Sequence, residues 1–285
     1  MNNSRRNFLR QTALAGAALS LPFRNELMAM TGKTNPFGIQ LWTVKEALYK
    51  DTVGVLTHLA KSGYKQIEGF EGKKGLFWGM KNTELKKLMD DLGMSFISSH
   101  CENTKDFERK AAEAAEIGMK YLICPHKGAQ KSIDNFKRFS DEFNACGEIT
   151  KKNGFRFAYH NHDYSFVPMD GVVPQDLMMN STDPSLVDFE MDLYWTRAAG
   201  VDPIAYMKKF PNRFKLVHVK DMAVTASGVK ESCIIGKGTI DYKALLPQVA
   251  AQGVKYFIVE QEAYTGTTEL DCAKDDAAYL KTLNW

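Results

Sequence analysis

Residues 214–221 read Phe-Lys-Leu-Val-His-Val-Lys-Asp, the pattern that best indicates the architecture of the chain. Its first part is apolar and rich in valine, whereas His218, Lys220 and Asp221 collect at its carboxyl end. Short apolar runs of this kind, separated by helical patterns, are typical of the buried strands of a parallel sheet. Working outward from 214–221, we predict eight such strands: 37–42, 65–70, 95–100, 121–125, 156–162, 187–195, 214–221 and 255–262.

Helical patterns fill the intervals between these runs, which is the order expected of repeated βαβ units. The predicted helices are 43–61, 83–91, 106–117, 133–152, 203–209, 242–252 and a last one at 270–282. Eight strands in residues 33–285, with no Pro/Gly/Ser-rich linker, predict an α/β chain with one (β/α)₈ barrel as its catalytic domain. A doubly wound open sheet is the alternative, but residues 40–44 after the first strand lack the glycine-rich phosphate turn that such sheets use.

The first 32 residues have the features of an export signal rather than of the fold. Ser4 to Arg10 reads Ser-Arg-Arg-Asn-Phe-Leu-Arg, and a mildly apolar stretch rich in alanine and leucine follows. This is similar to a twin-arginine signal, so we expect residues 1–32 to direct export and the mature protein to be periplasmic or otherwise exported.

The composition excludes several classes of protein. Hydrophobic residues make up 44% and charged residues 25% of the 285 residues, which is typical of a globular chain. Beyond residue 30, basic and acidic residues balance at 33 each, so we expect no nucleic-acid partner, because phosphate contacts need a basic surface. With no run of eighteen apolar residues, we expect no stable membrane association after export. Homo-oligomer formation is left open.

Histidines and acids are concentrated where the predicted strands end. Of the six histidines, only His58 falls in a helix; the other five are His100, His126, His160, His162 and His218. Because the carboxyl ends of barrel strands open onto one mouth, these side chains are expected to converge there. Imidazole and carboxylate groups together favour a divalent metal ion of the Mn, Co, Fe or Zn type.

The period of two residues along a strand groups the polar side chains into pairs that share a face. Those pairs are His160 with His162, Glu190 with Asp192, His218 with Lys220 and Glu260 with Glu262. Each pair places one group deeper and one nearer the mouth, as expected when one member holds a metal and the other meets substrate. A local surface ion pair between Lys220 and Asp221 is the alternative interpretation of that dipeptide.

At these residues the sequence resembles the xylose isomerase-like barrel superfamily, in particular its sugar phosphate isomerase/epimerase branch. The resemblance extends over residues 37–285. The segments that carry it are GIQLWTV at 38–44, YHNHD at 159–163, DFEMDLYW at 188–195, VHVKD at 217–221, GKGTID at 236–241 and VEQE at 259–262.

The resemblance implies one divalent ion, Mn, Co, Mg, Fe or Zn with Mn or Zn favoured, held by one side chain from each of strands five to eight. Asp192, His218 and Glu260 match the last three family positions. At the first position family epimerases usually have a carboxylate, whereas this chain has His160, with His162 as the other candidate.

The same resemblance implies a sugar isomerase or epimerase that removes a proton next to a carbonyl, by way of an enediolate. A metal-bound histidine at the first position is a poor base, so a lyase or dehydratase of keto sugars or 3-keto glycosides is the alternative. Glu260 or Glu190 is expected as the base, His162 as a second proton carrier and Lys220 as a donor to the developing oxyanion. The residues expected to bind substrate are Gln40, Trp42, Glu68, His100, His126, Trp195 and Glu262.

Two other classes deserve comparison. Abasic-site endonucleases share the superfamily, but they hold several zinc ions and use a basic groove that this composition does not supply. A non-catalytic exported sugar-binding barrel would keep the fold without the metal. The expected partner is a small sugar or keto glycoside, unphosphorylated because of the expected export, and Gly236 to Gly238 is interpreted as an ordinary loop rather than a phosphate site.

Overall fold

The computed structural model describes residues 35–285, which form a (β/α)₈ barrel. Eight parallel strands close in the order β1-β10-β7-β6-β5-β4-β3-β2. The predicted export signal lies outside the described residues and stays a prediction. Within the described part of the chain, no helix is long and apolar enough to span a bilayer. The barrel strands are β1 Phe37–Gln40, β2 Gln66–Phe70, β3 Ser95–His100, β4 Tyr121–Cys124, β5 Arg156–His160, β6 Val187–Asp192, β7 Phe214–Val219 and β10 Tyr256–Val259.

Helices cover the outside of the barrel, and several begin at a side chain that accepts a hydrogen bond from the first turn. Asp51, Ser132, Asp202 and Thr268 cap helices in this way, which satisfies backbone N–H groups that have no partner within the helix. The helices are α1 Lys45–Lys50, α2 Thr52–Ser62, α3 Asn82–Asp91, α4 Phe107–Glu116, α5 Ile133–Lys152, α6 Pro174–Ser181, α7 Leu193–Ala198, α8 Pro203–Lys209, α9 Tyr242–Ala251 and α10 Glu269–Leu280.

The predicted strand 187–195 is wrong in its last three residues. Strand β6 ends at Asp192, whose Oδ1 accepts a hydrogen bond from the backbone N–H of Trp195 and so begins helix α7. The aromatic pair Tyr194-Trp195 favours a strand by intrinsic preference, but the aspartate cap overrides it. Similarly, the predicted helix 43–61 is divided, because α1 ends before Asp51 and α2 begins after it.

An antiparallel hairpin that the sequence pattern did not predict follows strand β7. Its strands are β8 Asp221–Val224 and β9 Lys230–Cys233, paired from Asp221 with Cys233 to Val224 with Lys230. The predicted strand 214–221 is therefore two strands, and the second belongs to a separate two-stranded sheet. The hairpin extends the connection at the carboxyl end of the barrel, where an active site is expected.

The interior of the barrel changes character from one end to the other. A small apolar cluster lies inside the barrel and is formed by Tyr121, Ile123, Ala158 and Leu216. At the amino-terminal end of the strands, the Arg156 guanidinium pairs with the Asp188 carboxylate. Towards the carboxyl ends of the strands, the buried polar residues are mainly histidines and carboxylates.

Candidate active site

Strand register explains why polar residues from distant parts of the chain meet at the mouth. His160 on β5 lies beside Glu190 on β6, and Asp192 lies beside His218 on β7. Because the strands are parallel, each carries its last inward-facing residue to the same end of the barrel. The outer set defined here, His160, Asp192, His218 and Glu260, is buried, and its ligand atoms all lie within 4.8 Å of one another.

The distances within the outer set are those of groups arranged around a shared centre. Nε2 of His160 lies 3.7 Å from Oδ2 of Asp192, which lies 3.8 Å from Nδ1 of His218. That same Nδ1 is 3.2 Å from Oε2 of Glu260. Nitrogen and oxygen ligands at about 2.1 Å from one ion are roughly 3–4 Å apart, so the spacing fits a single divalent cation.

Unpartnered polar atoms give a second and independent test of that fit. Both ring nitrogens of His160 and Oδ2 of Asp192 are buried without a hydrogen-bond partner in the described chain. Burial, with the neighbouring histidines, holds the pKa of His160 well below its usual value, and burial raises the pKa of Asp192 to about 7. Buried polar atoms normally have partners, so these lone pairs are consistent with ligands to a metal ion.

A second group lies one step deeper in the barrel, and we call it the inner set: Glu68, His100, Glu190 and His218. Its members are hydrogen-bonded to one another, and Oε1 of Glu190 is the atom of the set that has no partner among the described residues. Nε2 of His100 is 2.9 Å from Oε2 of Glu190 and 3.2 Å from Oε1 of Glu68. Burial opposes the charge on His100, but the two carboxylates outweigh it and raise its pKa to about 9. These short contacts are hydrogen bonds, so the inner set supports the outer one.

His218 belongs to both sets, and Glu68 fixes its orientation. Nε2 of His218 lies 2.7 Å from Oε1 of Glu68, so a proton on this nitrogen is held by the carboxylate and Nδ1 is the atom that would bind a cation. Burial opposes the charge on His218, but the surrounding carboxylates Glu190 and Glu260 raise its pKa well above the usual value. Glu68 is itself held by hydrogen bonds from Nε2 of Gln40 at 2.8 Å and from Oγ of Ser98 at 2.6 Å. A carboxylate behind a ligating histidine is the usual way to fix its tautomer.

A cavity of about 320 Å³ opens above the outer set. Trp42 and Phe70 form one wall, with ring centroids 5.0 Å apart and edges meeting faces. His126 and His162 form the other, with centroids 4.9 Å apart. The residues that line the cavity are Trp42, Phe70, Glu71, His100, Cys101, Glu102, Pro125, His126, His160, His162, Glu260 and Glu262.

Lys220 lies behind this cavity wall and is 1% exposed. Its ammonium group is 3.2 Å from Oε2 of Glu260 and pairs closely with Glu262. The rings of Tyr194 and Trp195 lie 5.1 Å from the same ammonium. Burial opposes its charge, but the neighbouring carboxylates outweigh burial and raise the pKa of Lys220. Lys220 therefore stays charged and holds the two carboxylates in place. The alternative interpretation, a surface ion pair between Lys220 and Asp221, is wrong, because Lys220 is buried and pairs with Glu260 and Glu262.

The predicted site residues lie at different depths relative to the cavity. Trp42, His100, His126, His162 and Glu262 line the cavity together with Glu260. Gln40 and Glu68 are fully buried below it, and their contacts are with the inner set. Glu190, a candidate base, is also fully buried beneath the cavity, and Trp195 packs against His162 at 5.4 Å.

The sequence prediction missed two features of the cavity wall. Glu102 and Cys101 follow strand β3 directly, and their position after a strand end is the signal that could have identified them. Asn161, between the two predicted histidines, is buried and its Oδ1 accepts a hydrogen bond from the backbone N–H of Asp192 at 3.3 Å. It helps to position that carboxylate.

The loop at Gly236 to Gly238 has its backbone amides already in use. Oδ2 of Asp221 accepts hydrogen bonds from the N–H groups of Gly236 at 2.9 Å and Gly238 at 3.0 Å. Oδ1 of the same carboxylate accepts from Met222 and Ile240. Asp221 thus occupies the place that a phosphate would take, which agrees with the interpretation of this segment as an ordinary loop.

The closed parallel barrel and the buried histidine–carboxylate set at its mouth define a class of protein: (β/α)₈ barrels built around a polar active-site centre. Sequence comparison identifies the family within that class. The chain belongs to the xylose isomerase-like TIM barrel family, whose profile matches residues 56–283.

Relatives in this family differ in the reaction that they are named for. An inosose dehydratase from Clostridium beijerinckii is 26% identical over 251 residues, covering 74% of this chain and 80% of that protein. Crystal structures of sugar phosphate isomerase/epimerases from Parabacteroides distasonis are similar at TM-scores of 0.73 and 0.74. They are 29% and 31% identical and cover 91% and 85% of this chain, and 97% and 96% of their own. A 3-keto-D-glucoside 4-epimerase from E. coli, at 15% identity and a TM-score of 0.67, covers 87% of this chain and 99% of its own and shares the fold.

Proposed function

We propose that this protein is a divalent-metal-dependent enzyme that removes a proton next to the carbonyl group of a sugar-like substrate. The observation that carries the proposal is the outer set: four buried donor side chains from β5, from β6, from β7 and from the segment after β10, with ligand atoms within 4.8 Å. Two of those four ligand atoms, from His160 and Asp192, have no hydrogen-bond partner among the described residues. The family's isomerases, epimerases and dehydratases support the choice of chemistry.

In this proposal His160, Asp192, His218 and Glu260 would hold the cation. A bound divalent ion supplies Lewis acidity, which makes the C–H bond beside a coordinated carbonyl more acidic. The protein's own part is to hold the donor atoms in a fixed orientation. Glu68 does this for His218 through the Nε2 proton, and the helix cap does it for Asp192, because Oδ1 is held by the N–H of Trp195 while Oδ2 remains free.

We assign the proton-accepting role to Glu260 rather than Glu190. Glu260 lines the cavity, whereas Glu190 is buried beneath it in contact with His100. His162 lies opposite, with its pKa lowered to about 3 by burial, so its ring is neutral and its buried Nδ1 has no partner in the described chain. A neutral imidazole can accept a hydrogen bond from a substrate hydroxyl, so the part proposed for His162 is to orient the substrate rather than to carry a proton.

A lyase or dehydratase is the second candidate reaction, and one observation favours it. His160 stands where a second metal-bound carboxylate would be needed to return the proton to the opposite face of the sugar. The pKa of His160 is held well below its usual value, so it cannot act as a proton donor near neutral pH. Of the two carboxylates in the outer set, Glu260 lines the cavity and Asp192 does not, so loss of a leaving group from the enediolate would complete the reaction without a second proton transfer at carbon.

Metal stoichiometry tests the proposed centre directly. We expect about one divalent ion per chain after dialysis, and loss of that ion in His218→Ala and Glu260→Ala variants with the barrel still folded. His58→Ala, on helix α2, is the matched control and should keep the metal. Variants of the outer set that remain fully loaded would refute the assignment. About three ions per chain would favour a nuclease, and none would favour a sugar-binding protein.

Hydrogen exchange tests the proposed reaction. A keto sugar or 3-keto glycoside incubated with the loaded enzyme in deuterated buffer should gain deuterium at the carbon next to the carbonyl. Mass detection then separates the two candidates, because an isomer keeps its mass whereas elimination loses water or an aglycone. Absence of exchange across a panel of keto sugars would count against proton abstraction.

The cellular location is a separate proposal that rests on the first 32 residues alone. We propose export by the twin-arginine route. Replacing both Arg5 and Arg6 with lysine should keep the protein in the cytoplasm, as followed by cell fractionation and immunoblotting. An unchanged distribution would remove the basis for a periplasmic role.

A further inference from the structure

We infer that the substrate is an uncharged sugar or glycoside and that the cavity rejects sugar phosphates, an inference that rests on the proposed function for the sugar-like nature of the ligand. The observation behind it is the charge of the cavity wall. Among residues 35–285, the ionisable side chains lining the cavity are four glutamates and four histidines, with no lysine or arginine. The glutamates are Glu71, Glu102, Glu260 and Glu262.

Two buried lysines already form ion pairs with carboxylates of this wall. Lys110 is 3% exposed, and its Nζ lies 2.7 Å from Oε2 of Glu71. Lys220 is 1% exposed and pairs with Glu260 and Glu262. Neither ammonium group lines the cavity, so neither can approach an anion without giving up a buried ion pair, which is costly.

Glu102 has no cation of its own among the described residues. Its Oε1 accepts hydrogen bonds from the N–H and the hydroxyl of Thr104 at 2.9 and 2.7 Å. These bonds lower the pKa of Glu102, so it is ionised at neutral pH. They also fix the carboxylate against the wall, where its negative charge acts on any ligand that enters.

A bound divalent cation does not reverse the balance. The wall, the outer set and the inner set together hold seven carboxylates against two ammonium groups and the imidazolium of His100, whose pKa is about 9. With His218 neutral as a ligand, a divalent cation would leave two net negative charges. The carboxylates are Glu68, Glu71, Glu102, Glu190, Asp192, Glu260 and Glu262. A phosphate near neutral pH carries between one and two negative charges, so it would be repelled from this cavity.

The features that usually bind a sugar phosphate are in use elsewhere. The amides of Gly236 and Gly238 are held by Asp221. Lys45 does not line the cavity, and its Nζ lies 4.5 Å from the centre of the Trp42 ring. What the wall does offer is the Trp42–Phe70 pair, an apolar surface suited to the C–H face of a neutral pyranose.

Matched pairs of ligands test this inference independently of turnover. The metal-loaded protein is titrated calorimetrically with D-fructose and D-fructose 6-phosphate, and with D-glucose and D-glucose 6-phosphate. We expect the neutral member of each pair to bind at least tenfold more tightly at low salt, and the difference to shrink at 1 M NaCl, because screening weakens repulsion. A phosphorylated member that binds equally or more tightly overturns the inference, as does failure of every neutral sugar to bind up to its solubility limit.

A charge-removing variant adds a second readout. Glu102→Gln should reduce the preference for the neutral sugar roughly fivefold, as expected for removal of one partly screened charge near the ligand. Glu148→Gln, on the exposed face of helix α5, makes the same charge change far from the cavity and should leave the preference unaltered. A preference unchanged in Glu102→Gln refutes the charge argument. Neutral sugars that bind but never exchange with deuterium would refute the proposed reaction and leave this inference intact.

Discussion

Replacing Asp221 tests how the loop above the barrel mouth is held. Its fully buried carboxylate accepts four backbone hydrogen bonds, from Met222, Gly236, Gly238 and Ile240, at 2.7 to 3.1 Å. Asp221→Ala leaves all four amides without their acceptor. At about 1 kcal/mol for each bond, the free energy of unfolding should fall by about 4 kcal/mol, and by more where water cannot reach the amides.

Urea unfolding followed by circular dichroism measures this loss. With a slope near 3 kcal/mol/M, the midpoint of Asp221→Ala should fall by roughly 1 M or more. Asp221→Asn keeps one acceptor oxygen and should lose about half as much. Asp241→Ala is the matched control, because that aspartate accepts one amide, from Ala244, at a helix start, and its removal should cost about 1 kcal/mol. If Asp221→Ala costs no more than Asp241→Ala, the four-bond reasoning is refuted.

Three further predictions concern other buried carboxylates. Burial raises the pKa of Asp276 from about 4 to about 8. The folded protein therefore loses stability as the pH rises from 4 to 8. The melting temperature of Asp276→Asn should be higher than that of the wild type at pH 9 and equal to it near pH 4. Glu68→Gln should weaken Zn²⁺ or Mn²⁺ binding 10- to 100-fold in a chelator competition, because His218 loses the acceptor that fixes its tautomer; unchanged affinity would contradict that role. Asp188→Ala should lower the free energy of unfolding by about 1–3 kcal/mol, because Tyr121 and Arg156 lose an acceptor while Arg156 keeps its bonds to Ser185 and Pro184. Metal affinity should stay the same, since this pair lies at the opposite end of the barrel.

The barrel could be predicted because its signals are local and repeated. Each of the eight predicted strands contains a strand of the barrel, and Ser95–His100 and Ile133–Lys152 have the predicted bounds. The features that were not predicted are places where one local sequence signal overrides another or is too short to recognise. The Asp192 cap ended a strand that aromatic residues would have prolonged, and the hairpin from Asp221 to Cys233 has short strands that alternate too briefly to be recognised.

The sequence predicted which side chains face the mouth of the barrel, but not how far below the mouth each of them lies. The two-residue period correctly placed Glu190 and Asp192 on the same face of β6. It could not tell which of them reaches the cavity, because that depends on how far each strand extends beyond its neighbours. A register shift between β2 and β3 at Glu68 brings Ser98 beside that glutamate, and such an irregularity leaves no mark in the sequence.

The position of Trp42 has a practical consequence. It is 38% exposed at the rim of the cavity, while Trp78 is buried and the remaining two indoles are half-buried. An indole in contact with water emits at longer wavelength than one enclosed by protein. A ligand that binds against this ring should therefore shift the tryptophan emission to shorter wavelength. Intrinsic fluorescence would then report ligand binding without a label.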